Sequence, residues 1–272
     1  MAGTKRKAPA QSKKDAGAPP VAKKHKKFQV DDSLLDMDLG LNKSFSVMDN
    51  QLLADYLAQK ISRFGSDLSS IEVSDLTVSG KCVHERDGEQ HLGRCKVADT
   101  SKANAIRDTT SWDEPRTAEK LPEFLEKFAE KPERLSSAPS AKGTPHTIIV
   151  AGAGLRAADL VRATRKFQTP ESTVSKLFAK HMKVDEQTKF LQSQRTGIAV
   201  GTPARLMALV DNGALSLAKL DRIVVDASHI DQKKRGVMDM KETMLPLAQW
   251  LTRNEFKDRY VDEKKPLALL FY

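Results

Sequence analysis

IAVGTPARLMALV, residues 198–210, indicates the fold class of this chain more clearly than any other segment. Its first three residues, with Gly197 before them, form a short apolar run, as expected of a buried strand. Residues 203–210 then read as a helix, because proline is favoured in the first helical turn. A buried strand that leads directly into a helix is typical of α/β domains with a parallel sheet.

Strands and helices alternate on both sides of this segment, from residue 146 to residue 272. Apolar, β-branched strands separated by helices predict a parallel sheet covered by helices on both faces. Ligands bind such sheets at the carboxyl ends of the strands. We predict strands at 147–151, 173–178, 197–200, 222–226 and 267–271, and helices at 157–164, 184–194, 203–210 and 241–252.

The residues before this domain divide into a tail, 1–45, and an extension, 46–134, and the α/β domain occupies 135–272. In the extension we predict a helix at about 51–64, which Asp49 or Asn50 caps and Gly65 ends.

The rest of the extension is predicted as a connector and a second helix. Residues 66–110 are mixed and polar, and we expect an extended connector. Residues 112–131 begin with Trp112 and continue into LPEFLEKFAEK, which predicts an amphipathic helix after that aromatic residue. Its apolar stripe is expected to pack on the following domain and consists of Leu121, Phe124, Leu125 and Phe128.

Basic charge is concentrated at the amino terminus. Residues 1–27 carry +8 of the chain's net charge of +9, which leaves only +1 for residues 28–272. The segment has few large apolar residues, so we expect it to be disordered. Its basic clusters suit an import receptor or loose phosphate contact, and a solvated tail without a partner is the alternative. The import candidates are Lys5, Arg6, Lys7, Lys23, Lys24, Lys26 and Lys27.

Residues 31–42 read DDSLLDMDLGLN and alternate aspartates with leucine and methionine. This pattern suits a short segment that docks onto another protein. It equally suits an edge of the folded domain, and the sequence favours neither interpretation.

Residues 198–210 also resemble the RNA-helicase motif written T-P-G-R. Thr202, Pro203 and Arg205 keep the pattern, and Ala204 replaces the glycine. In helicases this helix points its amino end at an RNA phosphate, which the helix dipole, the threonine and the arginine stabilise. The resemblance implies RNA contacts at Thr202 and Arg205, whereas an ordinary strand-to-helix turn is the alternative.

A second resemblance follows in LDRIVVDASHIDQ, residues 220–232, which is similar to the helicase strand that ends in the D-E-A-D box. Asp226 keeps the first acid, but Ala227 replaces the glutamate, Ser228 the alanine and His229 the last aspartate. That glutamate orients the attacking water in these NTPases, and alanine cannot do so.

Other helicase features are reduced or missing. Residues 146–164 occupy the place of the P-T-R-E-L segment, with Arg156 as the stand-in RNA contact. The phosphate loop G-x-x-x-x-G-K-[ST] does not occur in the sequence. The chain has room for one RecA-like domain, and it stops before an S-A-T motif. We therefore expect a single incomplete helicase-type RecA-like domain that is not an enzyme, with no cofactor and no small-molecule substrate.

The order of these features resembles the Cms-one family of nucleolar proteins, over roughly residues 40–65 and 112–272. That family has helicase-like folds and associates with the early small-subunit pre-ribosome. The resemblance implies a non-catalytic factor in pre-rRNA processing, in the nucleus and nucleolus, with pre-ribosomal RNA and small-subunit assembly factors as partners. A general RNA-binding protein outside a fixed assembly is the alternative, and the near-neutral charge of residues 28–272 argues against it.

Residues 82–95, CVHERDGEQHLGRC, contain two thiols and two imidazoles that are chemically a zinc set. The four candidate ligands are Cys82, His84, His91 and Cys95. Their spacing does not match a common zinc finger, so we expect a polar connector and no metal site.

The longest apolar run, at 148–155, is too short to span a bilayer, and we expect no membrane partner.

Overall fold

The computed structural model describes residues 1, 3, 32–78, 105–179, 182–262 and 264–272. The import candidates and the four zinc candidates lie outside these residues. In the part of the chain that is described, no helix is long and apolar enough to cross a membrane.

Seven strands and nine helices are found in the described ranges. The strands are β1 (Leu35–Asp36), β2 (Leu41–Asn42), β3 (Thr147–Val150), β4 (Thr173–Leu177), β5 (Thr196–Gly201), β6 (Arg222–Val225) and β7 (Ala268–Phe271). The helices are α1 (Ser44–Val47), α2 (Asn50–Phe64), α3 (Ser70–Asp75), α4 (Leu121–Lys127), α5 (Gly154–Thr164), α6 (Val184–Ser193), α7 (Pro203–Asp211), α8 (Lys241–Leu251) and α9 (Asn254–Tyr260).

The main sheet has the strand order β4-β5-β3-β6-β7, and every neighbouring pair is parallel. This confirms the predicted parallel α/β sheet. The predicted strands agree with the observed bounds to within one residue at either end. The helix predicted at 157–164 begins three residues earlier, at Gly154.

Successive residues of each strand point to opposite faces of the sheet, and both faces are buried. Ile148 and Val150 belong to a core shared with α2, α6, α7, α8 and α9. Ile149, between them, belongs to a second core shared with α4 and α5. Burial on both faces explains why β3, β6 and β7 read as largely continuous apolar runs rather than alternating ones. The edge strand β4 differs, since it carries the exposed Lys176.

The helix predicted at 51–64 is confirmed as α2. The Asp49 carboxylate accepts a hydrogen bond from the Leu52 amide at 2.8 Å, so Asp49 is its amino cap. The helix ends before Gly65, as expected.

The connector predicted at 66–110 is wrong in part. Residues 70–75 form α3, which begins with a reciprocal capping box between Ser69 and Glu72. That Ser-x-x-Glu signature is present in the sequence and outweighs the polar composition around it. At the far end of the connector, Ile106 pairs with Leu269 in parallel and extends the sheet beyond β7.

The helix predicted after Trp112, within residues 112–131, is found as α4, which covers residues 121–127. Pro122 lies in its first turn, where proline is favoured, whereas an earlier start would place that proline in the helix interior. The expected packing of the apolar stripe on the following domain is confirmed, because Leu121, Phe124 and Leu125 share a buried core with Ile149 of β3. Trp112 adds to this core and packs edge-on against Phe124, with ring centroids 5.6 Å apart.

Candidate functional site at the carboxyl edge of the sheet

The carboxyl ends of the parallel strands lie at one edge of the sheet, and the loops that follow them carry the predicted site residues. β3 lies between β5 and β6. Thr202 follows β5, Arg156 follows β3 in the first turn of α5, and Asp226 follows β6. The topology therefore brings all three positions to the same edge.

Arg156 and Asp226 form a buried bidentate ion pair. The arginine Nε donates to Asp226 Oδ2 and an arginine terminal nitrogen donates to Oδ1, both at 2.9 Å. The side chains are only 10% and 2% exposed. Burial alone would lower the pKa of Arg156, but the charge and hydrogen bonds of Asp226 raise it. Both carboxylate oxygens are thus occupied by the protein's own cation.

The residues after Asp226 are fixed by the end of the neighbouring strand. The backbone amides of Ala227 and Ser228 both donate to the main-chain oxygen of Tyr272, at 2.7 and 2.8 Å. Ala227 is buried and offers only a methyl group. The Ser228 hydroxyl is also buried, and it has no hydrogen-bond partner within the described residues.

His229 is the last residue of the degenerate box and is held beside the ion pair. Burial is the main cause that lowers its pKa, and the positive charge of Arg156 adds to the effect. Since the ordinary histidine pKa is near 6.5, a lowered pKa makes the neutral imidazole the dominant form at pH 7.

The amino-terminal hairpin, which β1 and β2 form, packs against the loop that follows β6. Its β2 end pairs with the box in an antiparallel bridge between Leu41 and His229. The Asn42 amide donates to the Ser228 oxygen at 2.7 Å, and the Ile230 amide donates to the Gly40 oxygen at 2.9 Å. Residues 40–42 are therefore an edge of the folded domain, one of the two interpretations of the acidic-apolar segment.

Gly40 permits this approach of the two backbones. Its φ is +63°, in the left-handed region that glycine adopts at low cost. A Cβ atom there would lie 3.3 Å from the Ile230 oxygen, so a side chain is opposed both by backbone strain and by contact.

Thr202 and Arg205 form a separate group at the start of α7. Thr202 is the extended amino-cap residue, and its side chain makes no capping hydrogen bond. Its amide donates to the Leu177 oxygen at 3.3 Å, which ties the start of α7 to β4. The first turn of α7 contains no acidic residue, so its partial positive charge is not offset within the helix.

Arg205 is half-buried and directed toward α6. One terminal nitrogen donates to the Met182 oxygen at 2.9 Å and to Gln187 Oε1 at 2.7 Å. Among the described residues, no carboxylate forms an ion pair with Arg205. Hydrogen bonds therefore hold the guanidinium of Arg205 in place, but no described carboxylate neutralises its charge.

Similarity to known proteins identifies the family to which this chain belongs. The family model CMS1, described as "U3-containing 90S pre-ribosomal complex subunit", matches residues 2–88 and 89–272. Protein CMS1 of Chaetomium thermophilum is 55% identical over 259 residues, which cover 95% of this chain and 94% of that protein. This chain belongs to the CMS1 family.

Other CMS1 relatives are more distant. Protein cms1 of Schizosaccharomyces pombe is 24% identical and covers 79% of this chain and 68% of the relative. Human protein CMSS1 is 36% identical over 45% of this chain and 43% of its own length. Among solved structures, yeast Dbp5 bound to Nup159, Gle1, IP6 and ADP matches 51% of this chain and 32% of that chain, at 17% identity and a TM-score of 0.34.

The sequence analysis missed one residue of this candidate site, Gln187. It is 1% exposed, donates to the main-chain oxygens of Lys176 and Phe178, and accepts from Arg205. The available signal was its place on α6, four residues before the buried Leu191 and hence on the same helix face. A polar side chain on a buried face needs polar partners.

Proposed function

We propose that this CMS1-family chain is a non-catalytic ribosome biogenesis factor of the early small-subunit pre-ribosome, where it takes part in pre-rRNA processing. The family's description as a 90S pre-ribosomal complex subunit supports this assembly. Its partners are pre-ribosomal RNA and small-subunit assembly factors, and it acts in the nucleolus. Its amino-terminal basic clusters are the candidate import signal.

The Arg156–Asp226 pair is the observation that carries the non-catalytic assignment. In helicase-type NTPases the aspartate of this box helps to bind Mg²⁺, and the next glutamate orients the attacking water. Here both oxygens of Asp226 accept from Arg156, and a buried alanine follows. These residues do not fit a magnesium–nucleotide site, and residues 40–42 pair with the same loop.

RNA contact is assigned to the start of α7. A helix amino terminus with a nearby uncompensated arginine is suited to a phosphate group. Thr202 and Arg205 provide this combination, and no ion pair of Arg205 is found within the described residues. Arg156 is less suited, because its guanidinium would first have to leave Asp226.

ATP turnover by the purified full-length chain tests the non-catalytic assignment. We expect phosphate release at the level of buffer alone, with and without single-stranded RNA. Turnover that is lost in an Asp226→Asn variant would refute the assignment.

Affinity purification of the tagged chain, followed by sedimentation and RNA sequencing, tests the assembly. We expect recovery in a large particle with pre-ribosomal RNA and small-subunit assembly factors. Recovery as a free protein, or with unrelated messenger RNAs, would instead support a general RNA-binding protein.

Ultraviolet crosslinking in the same particle tests the RNA contact. We expect RNA-linked peptides from residues 202–205, at the carboxyl end of β5. Arg195, before the opposite end of the same strand, is the internal control and should not be linked. With purified chain and single-stranded RNA, Arg205→Gln should reduce the slope of log affinity against log salt by about 0.7, the value for one lost phosphate contact.

A further inference from the structure

Exposed apolar side chains are concentrated in the amino-terminal part of the folded unit. Five of the nine exposed large hydrophobic residues in the described ranges lie between positions 34 and 52. On the hairpin, Leu34, Met37 and Leu39 are 37%, 44% and 49% exposed, and Val47 on α1 is 69% exposed. Large apolar groups clustered on a surface mark an interaction site more often than single ones do.

These side chains are not left exposed by a poorly packed segment. Leu41 and Phe45, from the same hairpin and helix, are each only 3% exposed. The Lys43 amide donates to the Leu34 oxygen at 2.8 Å, and residues 40–42 are hydrogen-bonded to the loop after β6. The segment therefore has one face that is packed on the domain and another that is held out to solvent.

The segment that carries these side chains is also acidic in sequence. Residues 32–55 contain five aspartates and one lysine, a net charge of −4. The lysine is paired within the segment, because Lys43 Nζ lies 2.9 Å from Asp36 Oδ2. Asp38, between Met37 and Leu39, is exposed. We name this the acidic-apolar surface: Leu34, Met37, Leu39 and Val47 with Asp38.

We propose that the acidic-apolar surface docks a lysine- or arginine-rich segment of a protein partner, one that also carries large apolar side chains. Apolar side chains of the partner cover the leucine, methionine and valine groups, and its cations meet Asp38. Opposite charges across an interface favour encounter and fix orientation, while apolar burial contributes affinity.

Other occupants fit the surface less well. RNA is a polyanion and is repelled by a net charge of −4. A second copy of the chain would place aspartates against aspartates across an isologous contact. The chain's own residues 1–27 have matching charge, but Met1 and Val21 are their only larger apolar residues. A separate protein segment satisfies both the charge and the apolar requirement.

Site-specific photocrosslinking tests the proposal in the complexes that copurify with the tagged full-length chain. A benzophenone residue is placed at position 37 or 39, and a control is placed at position 155, since Leu155 is 66% exposed on α5. We expect positions 37 and 39 to link to a peptide of another protein that is rich in basic and apolar residues. Position 155 should not link to that peptide.

Charge and apolar variants separate the two requirements. Asp38→Lys should lower the crosslink yield from position 39 several-fold, whereas Asp75→Lys, at an exposed position on α3, should not. Met37→Asp combined with Val47→Asp should abolish the crosslink from position 39 with an unchanged thermal midpoint. Linkage to RNA, to a second copy or to residues 1–27 would overturn the proposal, and so would the absence of any linked protein.

Discussion

Replacing Arg156 with alanine should destabilise the fold by about 4 kcal/mol. The arginine makes two charge-assisted hydrogen bonds to Asp226, both at 2.9 Å, and such bonds contribute about 1.5–3 kcal/mol each. Removing one partner of a buried pair also leaves an uncompensated charge, and measured costs for this are about 3–5 kcal/mol. Asp226 is 2% exposed, so little water can reach the abandoned carboxylate.

Urea unfolding of the full-length chain, followed by circular dichroism, measures this change in unfolding free energy. Arg162→Ala is the matched control, because Arg162 lies on the same helix, is 65% exposed and pairs with the exposed Asp159. The control should lose less than about 0.5 kcal/mol.

The double variant Arg156→Met with Asp226→Leu distinguishes a lost pair from a damaged core. Replacing both charges by apolar groups of similar volume should recover most of the lost stability. A loss below about 1 kcal/mol for Arg156→Ala, or additive losses in the double variant, would refute the reasoning.

Three further predictions concern stability and use the same unfolding measurement. Gly40→Ala should cost about 1–2 kcal/mol, because φ is +63° and the new methyl group would crowd the Ile230 oxygen; an unchanged midpoint would contradict this. Asp49→Ala should cost about 1 kcal/mol through loss of the α2 cap, whereas Asp49→Asn should restore most of it. Burial, followed by the charge of Arg222, lowers the pKa of His146 to about 4. Since the unfolded imidazole titrates near 6.5, its contribution of up to about 3 kcal/mol is present above that pH and is lost as the pH falls toward about 4. His146→Gln should flatten this dependence.

The sheet could be predicted from the sequence because its strands are buried on both faces. Such strands read as uninterrupted apolar runs, as in residues 148–150 and 223–225. The docking of the short hairpin at residues 35–42 could not be predicted, since it bonds to Ser228 and Ile230, which are distant in sequence. Helix α3 was predictable in principle from Ser69 and Glu72.

The candidate site was only partly predictable. Motif resemblance located Asp226 and Arg205, because both follow strand ends at the same edge of the sheet. It gave no indication that Arg156 pairs with Asp226, since the two residues are 70 positions apart and pairing depends on the neighbouring registers of β3 and β6. The bond from Gln187 to Arg205 likewise depends on how α6 packs beside α7.

The closure of the hairpin over the loop after β6 has a consequence for synthesis of the chain. Gly40 and Ile230 are separated by about 190 residues, so this contact is among the slowest to form and cannot form until most of the chain has left the ribosome. Until then Leu41, buried in the finished fold, lacks the loop after β6 with which it pairs. The amino-terminal hairpin therefore stays without its docking partner for most of the synthesis of the chain, and it joins the fold only after β6 and the loop that follows it have been made.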